Sequence, residues 1–466
     1  MTESTAIASN APAAAFLSAR RKAFTRLLPI LFASYVIAYI DRVNISFAQL
    51  TMSKDLPAFN TDVIGTGAGL FFLGYFLLEI PGTIMVERYS ARKILARIMI
   101  TWGIVAALNA WVTTPAQFYS VRFLLGLAEA GFFPGVIIFL TRWFTARDRA
   151  RALALFLMAT PIAQVISPLV CTPLLKYGLT ETVNGAQVTH PLMFGMHGWQ
   201  LVFVVWGLPA CVLGVCVLFM LSDWPRDAKW LTADEKIELQ SAIDRERAVQ
   251  SKKPHMTLGQ ALRQPKVILL GLAYFFVVTA NYGTEIFLPK MMESWFHLKL
   301  EKLEWFMVVA PIVTLGAQWF VGFNSDRTGE RRLHSAIPIA LGALTLALAP
   351  FSVGSLPLAM LLLIFARTGI KAYQPAFWTL PSLLLSPAVA AGCVGFINSF
   401  GNLGGFLGPK VLGKLAKDSG NFSSGVWFLA GMMCVSVVIL LTLGLGKSEK
   451  EIAPASEQKA PDAAAA

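Results

Sequence analysis

The stretch SDRTGERR, residues 325–332, and the stretch ERYSARK, residues 87–93, each follow an apolar run. Each combines an acidic residue, an arginine, a turn residue and a basic pair. Aligning Glu87 with Asp326 offsets the two copies by 239 residues, about half of the 466-residue chain. One copy alone would be explained by the basic residues that loops between membrane spans commonly carry. Two copies at corresponding places indicate that the chain consists of two related halves.

The composition is that of an integral membrane protein. Hydrophobic residues make up 56% of the chain and charged residues 14%, and the mean hydropathy is +0.61. A soluble domain has about 25% charged residues, and a water-soluble core of this composition would expose large apolar patches. The five cysteines all lie in apolar runs, which argues against a disulfide framework or a CxxC metal site.

Twelve apolar runs are long enough to cross a bilayer about 30 Å thick, which takes about 20 helical residues. Numbered in chain order as spans 1 to 12, they are predicted at 27–50, 63–87, 94–113, 117–143, 151–175, 199–221, 266–290, 303–324, 335–352, 357–383, 390–413 and 425–446. The sequence therefore predicts an all-α integral membrane protein with twelve transmembrane helices in two pseudo-symmetric halves of six.

The predicted domains follow from these spans. They are a cytoplasmic N-terminal segment 1–26, a six-helix bundle 27–221, a cytoplasmic central loop 222–265, a second bundle 266–446 and a disordered cytoplasmic tail 447–466. Most of the 39 Lys and Arg residues then lie on the inner side, so the positive-inside rule places both termini in the cytoplasm. This bias explains the net charge of +12 without a nucleic-acid partner. The expected location is the cell inner (plasma) membrane.

Asp41 and Arg42, inside YIDRVNISFA (39–48), lie in the middle of span 1. Two charges there should each cost about 2.5–3.5 kcal/mol on the insertion scale, so they are expected to have partners. At 1.5 Å per residue, Asp41 lies roughly 14 Å below the outer end of its span. That depth is level with the interval between Arg122 and Glu129 of span 4, about 8 and 18 Å down.

These depths lead to an expectation for each charge. A pair between Asp41 and Arg122 is within reach of the long guanidinium. Arg42 points about 100° away from Asp41 and needs another partner, water or substrate. Glu129 has no obvious local cation, and a desolvated carboxyl of that kind suits a proton carrier. The structural alternative is a buried pair that only holds spans 1 and 4 together.

Several motifs carry a resemblance to a known family. DRTGERR fits the pattern D-R-x-G-x-R-R in full, whereas the first copy departs from it at Glu87 and Ser90. With YIDRVNISFA, RFLLGLAEAGFFPG (122–135), FWTLP (377–381) and GFINSFGNLGGFLGP (395–409), the chain resembles the major facilitator superfamily. Within it, the chain is similar to the anion:cation symporters, the organic-acid and sugar-acid proton symporters of the tartrate, galactonate and phthalate type.

The resemblance implies a proton-coupled importer of a small organic anion (a sugar acid, a dicarboxylate or an aromatic carboxylate) that works by alternating access. It implies proton coupling at Asp41 and Glu129. The implied substrate-binding residues are Arg42, Arg122, Tyr39, Tyr75, Gln164, Lys371, Trp378, Asn398 and Asn402. The implied gating residues of the loop motif are Glu87, Arg88, Arg92, Asp326, Arg327 and Arg331. The expected partners are the substrate, protons and the lipid bilayer, and the expected state is a monomer without cofactor or metal.

One feature departs from the family pattern. Arg367 and Lys371 lie one turn apart in span 10, so that either could pair with an acid of another span or both could hold a second carboxylate. Glu285 and Lys290 read as interfacial residues near the outer end of span 7.

Other functional classes remain as alternatives. The five histidines are scattered over loops and span ends, and no catalytic constellation is found, so an enzyme is not expected. A transporter-derived nutrient sensor and a drug or metabolite exporter of the same fold are the remaining alternatives.

Overall fold

The computed structural model describes residues 3–183, 186–250, 263–298, 300–384 and 387–444. The predicted tail 447–466 and residues 251–262 of the predicted central loop lie outside this described part. The chain divides into two compact units, Met1–Pro254 and His255–Ala466.

The amino-terminal unit contains spans 1 to 6, a β-hairpin and a polar helix. Its helices are Glu3–Val43 and Ile45–Asp55 (span 1), Thr61–Arg88 (span 2), Ala91–Leu108 with the 3-10 turn Asn109–Trp111 (span 3), Pro115–Glu129 and Phe132–Trp143 (span 4), Ala146–Leu157 and Ala159–Leu174 (span 5), Gly198–Met220 (span 6), a 3-10 turn Pro225–Asp227 and the polar helix Ala233–Gln250. The strands β1 (Thr180–Val183) and β2 (Ala186–Thr189) form an antiparallel hairpin between spans 5 and 6. This hairpin is the one departure from the all-helical prediction in the described part of the chain.

The carboxy-terminal unit contains spans 7 to 12. Its helices are Pro265–Phe296 (span 7), Leu300–Thr328 (span 8), Arg332–Leu348 with the 3-10 turn Ala349–Ser352 (span 9), Leu356–Ala372, Gln374–Phe377 and Leu380–Leu384 (span 10), Pro387–Ser419 (span 11) and Ser423–Thr442 (span 12). Within the described residues, eleven helices are long and apolar enough to cross a membrane. The remaining predicted span, 390–413, lies within the 33-residue helix Pro387–Ser419.

Glycines allow two pairs of spans to touch through their backbones in the amino-terminal unit. A Cβ atom at Gly126 of span 4 would lie 1.9 Å from the Phe71 carbonyl oxygen of span 2. A Cβ atom at Gly103 of span 3 would lie 2.6 Å from the Gly207 carbonyl oxygen of span 6. Small residues permit such close packing. In membranes this packing matters because lipid is as apolar as leucine, so helices associate through van der Waals contacts and not through the hydrophobic effect.

The carboxy-terminal unit repeats this kind of contact. Span 11 packs on span 7, where a Cβ atom at Gly408 would lie 2.0 Å from the Thr279 carbonyl oxygen. In the amino-terminal unit, spans 1 and 5 pack in the same relation, since adding six to each gives spans 7 and 11. Spans 3 and 6 likewise correspond to spans 9 and 12, which also pack together. The two units are therefore built on the same pattern of helix pairs, as the duplicated loop motif indicates.

Large apolar side chains cover the outside of the helices. Phe219, Trp319 and Phe320 are 78%, 72% and 61% exposed. In water such side chains would carry a hydrophobic penalty. In a bilayer they face lipid, and only the backbone must satisfy its hydrogen bonds internally, which a helix does.

The polar helix Ala233–Gln250 packs near the starts of spans 1 and 5. Glu235 accepts hydrogen bonds from Lys22 Nζ at 2.7 Å and Ser18 Oγ at 2.6 Å. Glu246 accepts a hydrogen bond from the Ala146 amide at 2.7 Å. These contacts bind the predicted central-loop helix to the amino-terminal unit.

Candidate functional site

Asp41 is the most enclosed acid of span 1. Its side chain is fully buried. The indole Nε1 of Trp102 in span 3 donates a hydrogen bond to its Oδ2 at 3.0 Å, and the amide of Asn44 approaches Oδ1 at 3.4 Å. The expected ion pair between Asp41 and Arg122 is not formed in the described structure. A neutral donor, which the sequence does not single out, holds this carboxylate instead.

Arg42 pairs with Glu129 across spans 1 and 4 through a short contact between Nη2 and Oε1. The guanidinium also lies over the rings of Phe71 and Tyr75, 5.4 and 5.2 Å from their centroids. The expectation that Glu129 lacks a local cation is therefore wrong. The 100° turn that separates Arg42 from Asp41 directs it toward Glu129.

Arg122 is fully buried in span 4. Its guanidinium lies 5.5 Å from the ring centroids of both Phe118 and Phe203. Its three side-chain nitrogens have no hydrogen-bond partner within the described part of the chain. A buried donor in this state carries its full desolvation cost, about 1–3 kcal/mol and more for a charged group. This arrangement suits a guanidinium whose donors bind an anionic group during only part of a transport cycle.

Both helices that carry these charges are interrupted at the cluster. Span 1 is interrupted at Asn44, two residues after Arg42. The helix Pro115–Glu129 of span 4 ends at Glu129, and Gly131, with φ +86°, begins the next helix. Glycine tolerates this left-handed backbone at no steric cost. Glu129 thus lies at a helix C-terminus, whose partial negative charge disfavours an anion unless a cation such as Arg42 is close.

The other predicted residues of this unit lie on spans 1, 2 and 5. Gln164 of span 5 donates a hydrogen bond from Nε2 to the Tyr39 hydroxyl at 2.7 Å. Tyr39 and Tyr75 are both buried, and Tyr75 contacts the Arg42 guanidinium. The structure therefore brings the predicted site residues together in two pairs, Arg42 with Tyr75 and Tyr39 with Gln164.

In the carboxy-terminal unit, Trp378 lies at an interruption of span 10. The helices Gln374–Phe377 and Leu380–Leu384 flank it. Its ring packs edge-to-face on Tyr274 of span 7, with 4.9 Å between centroids. Tyr274 itself is close to span 11, because a Cβ atom at Gly401 would overlap its ring. Trp378 and Tyr274 thus form an aromatic pair of spans 10 and 7, and the Tyr274 ring packs against Gly401 of span 11.

The three remaining predicted residues of this unit lie on spans 10 and 11. Asn402 is buried on span 11 and Asn398, one turn before it, is half-buried. Lys371 is half-buried at the end of Leu356–Ala372, where its backbone carbonyl accepts a hydrogen bond from Gln318 at 3.1 Å.

Glu285 and Arg367 form a buried charge pair between spans 7 and 10. Glu285 Oε1 lies 3.4 Å from Arg367 Nη2, and the two side chains are 5% and 7% exposed. Of the two alternatives for Arg367, pairing with an acid of another span is realised. The interpretation of Glu285 as interfacial is wrong, because its side chain is buried against Arg367 of span 10, 11 residues before the end of the helix Pro265–Phe296.

The loop-motif residues lie at the ends of spans 2 and 8. In the first copy, the Arg92 amide donates to Asp223 Oδ1 at 2.9 Å, and Arg142 donates to the carbonyls of Val86 and Glu87 at 2.8 and 2.9 Å. The side chains of Glu87 and Arg88 are exposed. Asp223 and Arg142, which lie far from the motif in sequence, are therefore the residues that fasten this loop.

The second copy is fastened by its own residues. Arg331 Nη1 donates to Asp326 Oδ1 at 2.5 Å and to Ser325 Oγ at 3.1 Å. Arg327 is exposed. At the position of Gly329, the first copy carries Ser90, whose Oγ donates a hydrogen bond to Asp223 Oδ2 at 2.6 Å.

Among the described residues there is no group of three or more His, Cys, Asp or Glu side chains that could hold a metal ion. The charged groups present are suited to binding an anion and to binding protons.

Comparisons with known proteins agree with this architecture. The model of the Major Facilitator Superfamily matches residues 31–409. A putative tartrate transporter of Agrobacterium vitis is 39% identical over 423 residues, which are 91% of this chain and 94% of that protein. A quinolone resistance transporter of Acinetobacter baumannii is 33% identical over 89% of this chain and 92% of that protein.

A solved structure shows the same fold. The xylose transporter XylE from E. coli superimposes with a TM-score of 0.70 at 13% identity, covering 91% of this chain and all of that one. The family match and this fold confirm the predicted fold class, and the family match with the relatives confirms the prediction that the chain is not an enzyme. The chain is a multi-pass membrane transporter that belongs to the Major Facilitator Superfamily.

Proposed function

We propose that the chain is a proton-coupled importer of a small organic anion, of the anion:cation symporter type, that works by alternating access. The observation that carries the proposal is Arg122, a buried guanidinium without a hydrogen-bond partner in the described structure. A guanidinium presents a planar fork of donors that fits both oxygens of a carboxylate. Arg122 and Arg42 are the proposed carboxylate-binding residues.

Charge balance couples this anion to protons. Asp41, Glu129, Arg42 and Arg122 together carry no net charge when all are ionised. A monovalent anion added to this buried cluster leaves one uncompensated negative charge, which is expensive inside a membrane. One proton on Asp41 or Glu129 restores neutrality. Protonated Glu129 also ceases to compete for Arg42, so that proton binding and anion binding favour each other.

The other candidate residues have roles consistent with their chemistry. Tyr39, Tyr75 and Gln164 donate hydrogen bonds to carboxylate or hydroxyl oxygens in the amino-terminal unit. Trp378 supplies an apolar wall, and Asn398, Asn402 and Lys371 are the polar contacts of the carboxy-terminal unit. The loop-motif residues Glu87, Arg88, Arg92, Asp326, Arg327 and Arg331 act in gating.

We further propose that the protein lies in the cell inner membrane with both termini in the cytoplasm, as the distribution of basic residues favours. Cysteines placed singly at Thr189 and Asp234, in a variant without the native cysteines, distinguish the two sides. An impermeant thiol reagent should label the Thr189 site in intact cells and spare the Asp234 site. The reverse labelling would contradict this orientation.

The test of the function begins with thermal-shift screening of the purified protein. The panel contains sugar acids, dicarboxylates, aromatic carboxylates and, because one relative is named a quinolone resistance transporter, a quinolone. We expect an organic acid to raise the melting temperature and then to accumulate in proteoliposomes under an inwardly directed proton gradient. Stabilisation by the quinolone alone would favour an exporter. Binding without uptake would favour a sensor.

A further inference from the structure

Trp102 of span 3 contacts the proposed proton site through its polar atom. The side chain is fully buried, and its indole Nε1 donates a hydrogen bond to Asp41 Oδ2 at 3.0 Å. Asn44, at 3.4 Å from Oδ1, makes the other hydrogen bond that Asp41 has in the described structure. Trp102 is therefore the closest hydrogen-bond donor to this carboxylate, and it comes from a span that carries none of the clustered charges.

The chemistry of the indole decides which form of Asp41 this bond favours. An indole N–H donates a hydrogen bond and cannot accept one. It bonds to an ionised carboxylate roughly twice as strongly as to a neutral acceptor, and a protonated carboxyl offers only a neutral oxygen. The bond from Trp102 therefore stabilises the ionised form relative to the protonated form, against the desolvation that a membrane interior imposes on a charge.

The position of the Trp102 ring is set by two contacts that do not involve Asp41. The next residue, Gly103, packs against span 6, where a Cβ atom would lie 2.6 Å from the Gly207 carbonyl oxygen. The ring itself packs edge-to-face on Phe132, with 5.0 Å between centroids. Phe132 is the first residue of the second helix of span 4, directly after the break of that span. Spans 4 and 6 thus hold the N–H in place before Asp41 binds or releases a proton.

Titratable groups on other spans also act electrostatically on Asp41. They are Arg122 and Glu129 of span 4, Cys171 of span 5 and Cys211 of span 6. The arginine favours the ionised carboxylate and the glutamate opposes it, whereas thiols are ordinarily uncharged below about pH 8.5. A substitution at Trp102 changes the hydrogen bond without removing any of these charges.

We infer that Trp102 is a positioning residue for proton coupling, whose indole N–H stabilises ionised Asp41 and so sets the pH at which Asp41 binds and releases the transported proton. This role rests on the proposed function, which assigns proton coupling to Asp41 and Glu129. Because its ring packs on Phe132, Trp102 also joins the proton site of span 1 to the break of span 4.

The first measurement is the pH titration of the Asp41 carboxyl in the purified full-length protein, followed by the infrared C=O band of the protonated form. Loss of the band in Asp41→Asn assigns it. Trp102→Phe keeps an aromatic ring beside Phe132 and removes the N–H. We expect its titration midpoint to lie about one pH unit above that of the wild type, which is about tenfold tighter proton binding.

Trp143→Phe is the matched control. Trp143 is also fully buried, but its Nε1 donates to a neutral acceptor, the Ser222 backbone carbonyl, at 3.0 Å. This variant loses the same atoms and one indole hydrogen bond, and it should leave the Asp41 midpoint unchanged.

Replacement of tryptophan by 5-fluorotryptophan gives a test that nearly preserves the packing. The fluorinated indole is a stronger N–H donor, so the Asp41 midpoint should fall below that of the unlabelled wild type. The same labelling of Trp102→Phe should leave its midpoint unchanged.

Transport gives a second readout. The exchange rate of the organic acid found by screening is measured against pH, with equal pH on both sides of the proteoliposome membrane. Exchange by Trp102→Phe should persist to about one pH unit higher than exchange by the wild type, because Asp41 keeps its proton. A merely structural defect would lower the rate at every pH and leave the midpoint in place.

The contradicting results are distinct. An Asp41 midpoint that stays in place in Trp102→Phe or in the fluorinated wild type, or that shifts equally in Trp143→Phe, would overturn the role of the N–H. So would an Asp41 carboxyl that does not titrate in the wild type. A shifted infrared midpoint with an unshifted exchange profile would overturn the role in coupling and leave the proposed function standing. Wild-type transport that does not depend on protons would overturn both.

Discussion

Arg122 shows how a single residue links burial to function. A guanidinium remains charged even in a protein interior. The Arg122 guanidinium lies against the rings of Phe118 and Phe203. In a purely structural role this arginine would be expected to make charge-assisted hydrogen bonds with an acid. Its position beside, but not paired with, the Asp41 carboxylate instead suits a group that binds an anion during part of a cycle.

The first prediction concerns this residue. Arg122→Lys keeps the charge and loses the planar fork, which an ammonium cannot reproduce. Losing a charge-assisted bidentate contact should cost about 2–3 kcal/mol, or roughly 30- to 150-fold in affinity for the acid found by screening. Calorimetry measures the effect, with Lys414→Gln, at an exposed position of span 11, as the control. Unchanged affinity in both Arg122→Lys and Arg42→Ala would mean that neither arginine binds the carboxylate of the substrate.

At this scale the sequence indicates which residues are charged and buried but not how they pair. Asp41, Arg42, Arg122 and Glu129 stand out because ionisable residues inside spans are costly. Their partners depend on rotations and breaks of two helices that a depth estimate does not include. Trp102 carries no sequence signal at all, because a tryptophan in an apolar helix is usually a packing residue.

At the scale of elements, the glycines and the helix interruptions position the charges. Gly126 brings spans 2 and 4 into backbone contact, which places Phe71 and Tyr75 beside Arg42. The left-handed Gly131 ends the helix at Glu129. Glycines generally permit such close packing between membrane helices. Their particular contacts require the structure, since they depend on the facing helix.

The polar helix Ala233–Gln250 gives a prediction about pH. Burial disfavours the ionised form of Glu235, but hydrogen bonds from Lys22, Ser18 and the Thr232 amide outweigh it and lower the pKa of Glu235 to about 2. An unperturbed glutamate has a pKa of about 4.3. The ionised carboxylate therefore stabilises the docked helix above about pH 4.3, and this contribution is lost as the pH falls toward 2.

Hydrogen exchange of this helix measures the effect. Glu235→Gln should increase exchange over residues 233–246 at pH 7, and wild-type protection should fall toward the level of the variant between about pH 4.3 and 2, after correction for intrinsic rates. The control is Arg245→Gln, an exposed position of the same helix that should leave the exchange unchanged. Equal protection in Glu235→Gln and wild type at pH 7 would show that apolar contacts alone hold the helix.

At the scale of the whole molecule, the repeated helix pairs follow from the duplication seen in the sequence. The loop motif at an offset of 239 residues already indicates two related halves, and hydropathy alone indicates the number of spans. The distribution of charge could not be predicted in the same way. The cluster of the first unit combines the acids Asp41 and Glu129 with Arg42 and Arg122 on spans 1 and 4, whereas the second unit has the buried pair Glu285–Arg367 between spans 7 and 10.

This charge distribution makes proton coupling the central claim. The most direct measurement is accumulation of the organic acid in proteoliposomes under an inwardly directed proton gradient, for the wild type, Asp41→Asn and Glu129→Gln. Substrate exchange at equal pH on both sides is measured in parallel. It reports whether each variant still folds and completes the loaded transition.

The account predicts that the wild type accumulates the acid above its external concentration and loses this accumulation when an uncoupler collapses the gradient. Both variants should fail to accumulate it, and at least one should still exchange it, because a fixed neutral side chain permits the loaded transition. Gradient-driven accumulation that persists in both Asp41→Asn and Glu129→Gln would contradict the account.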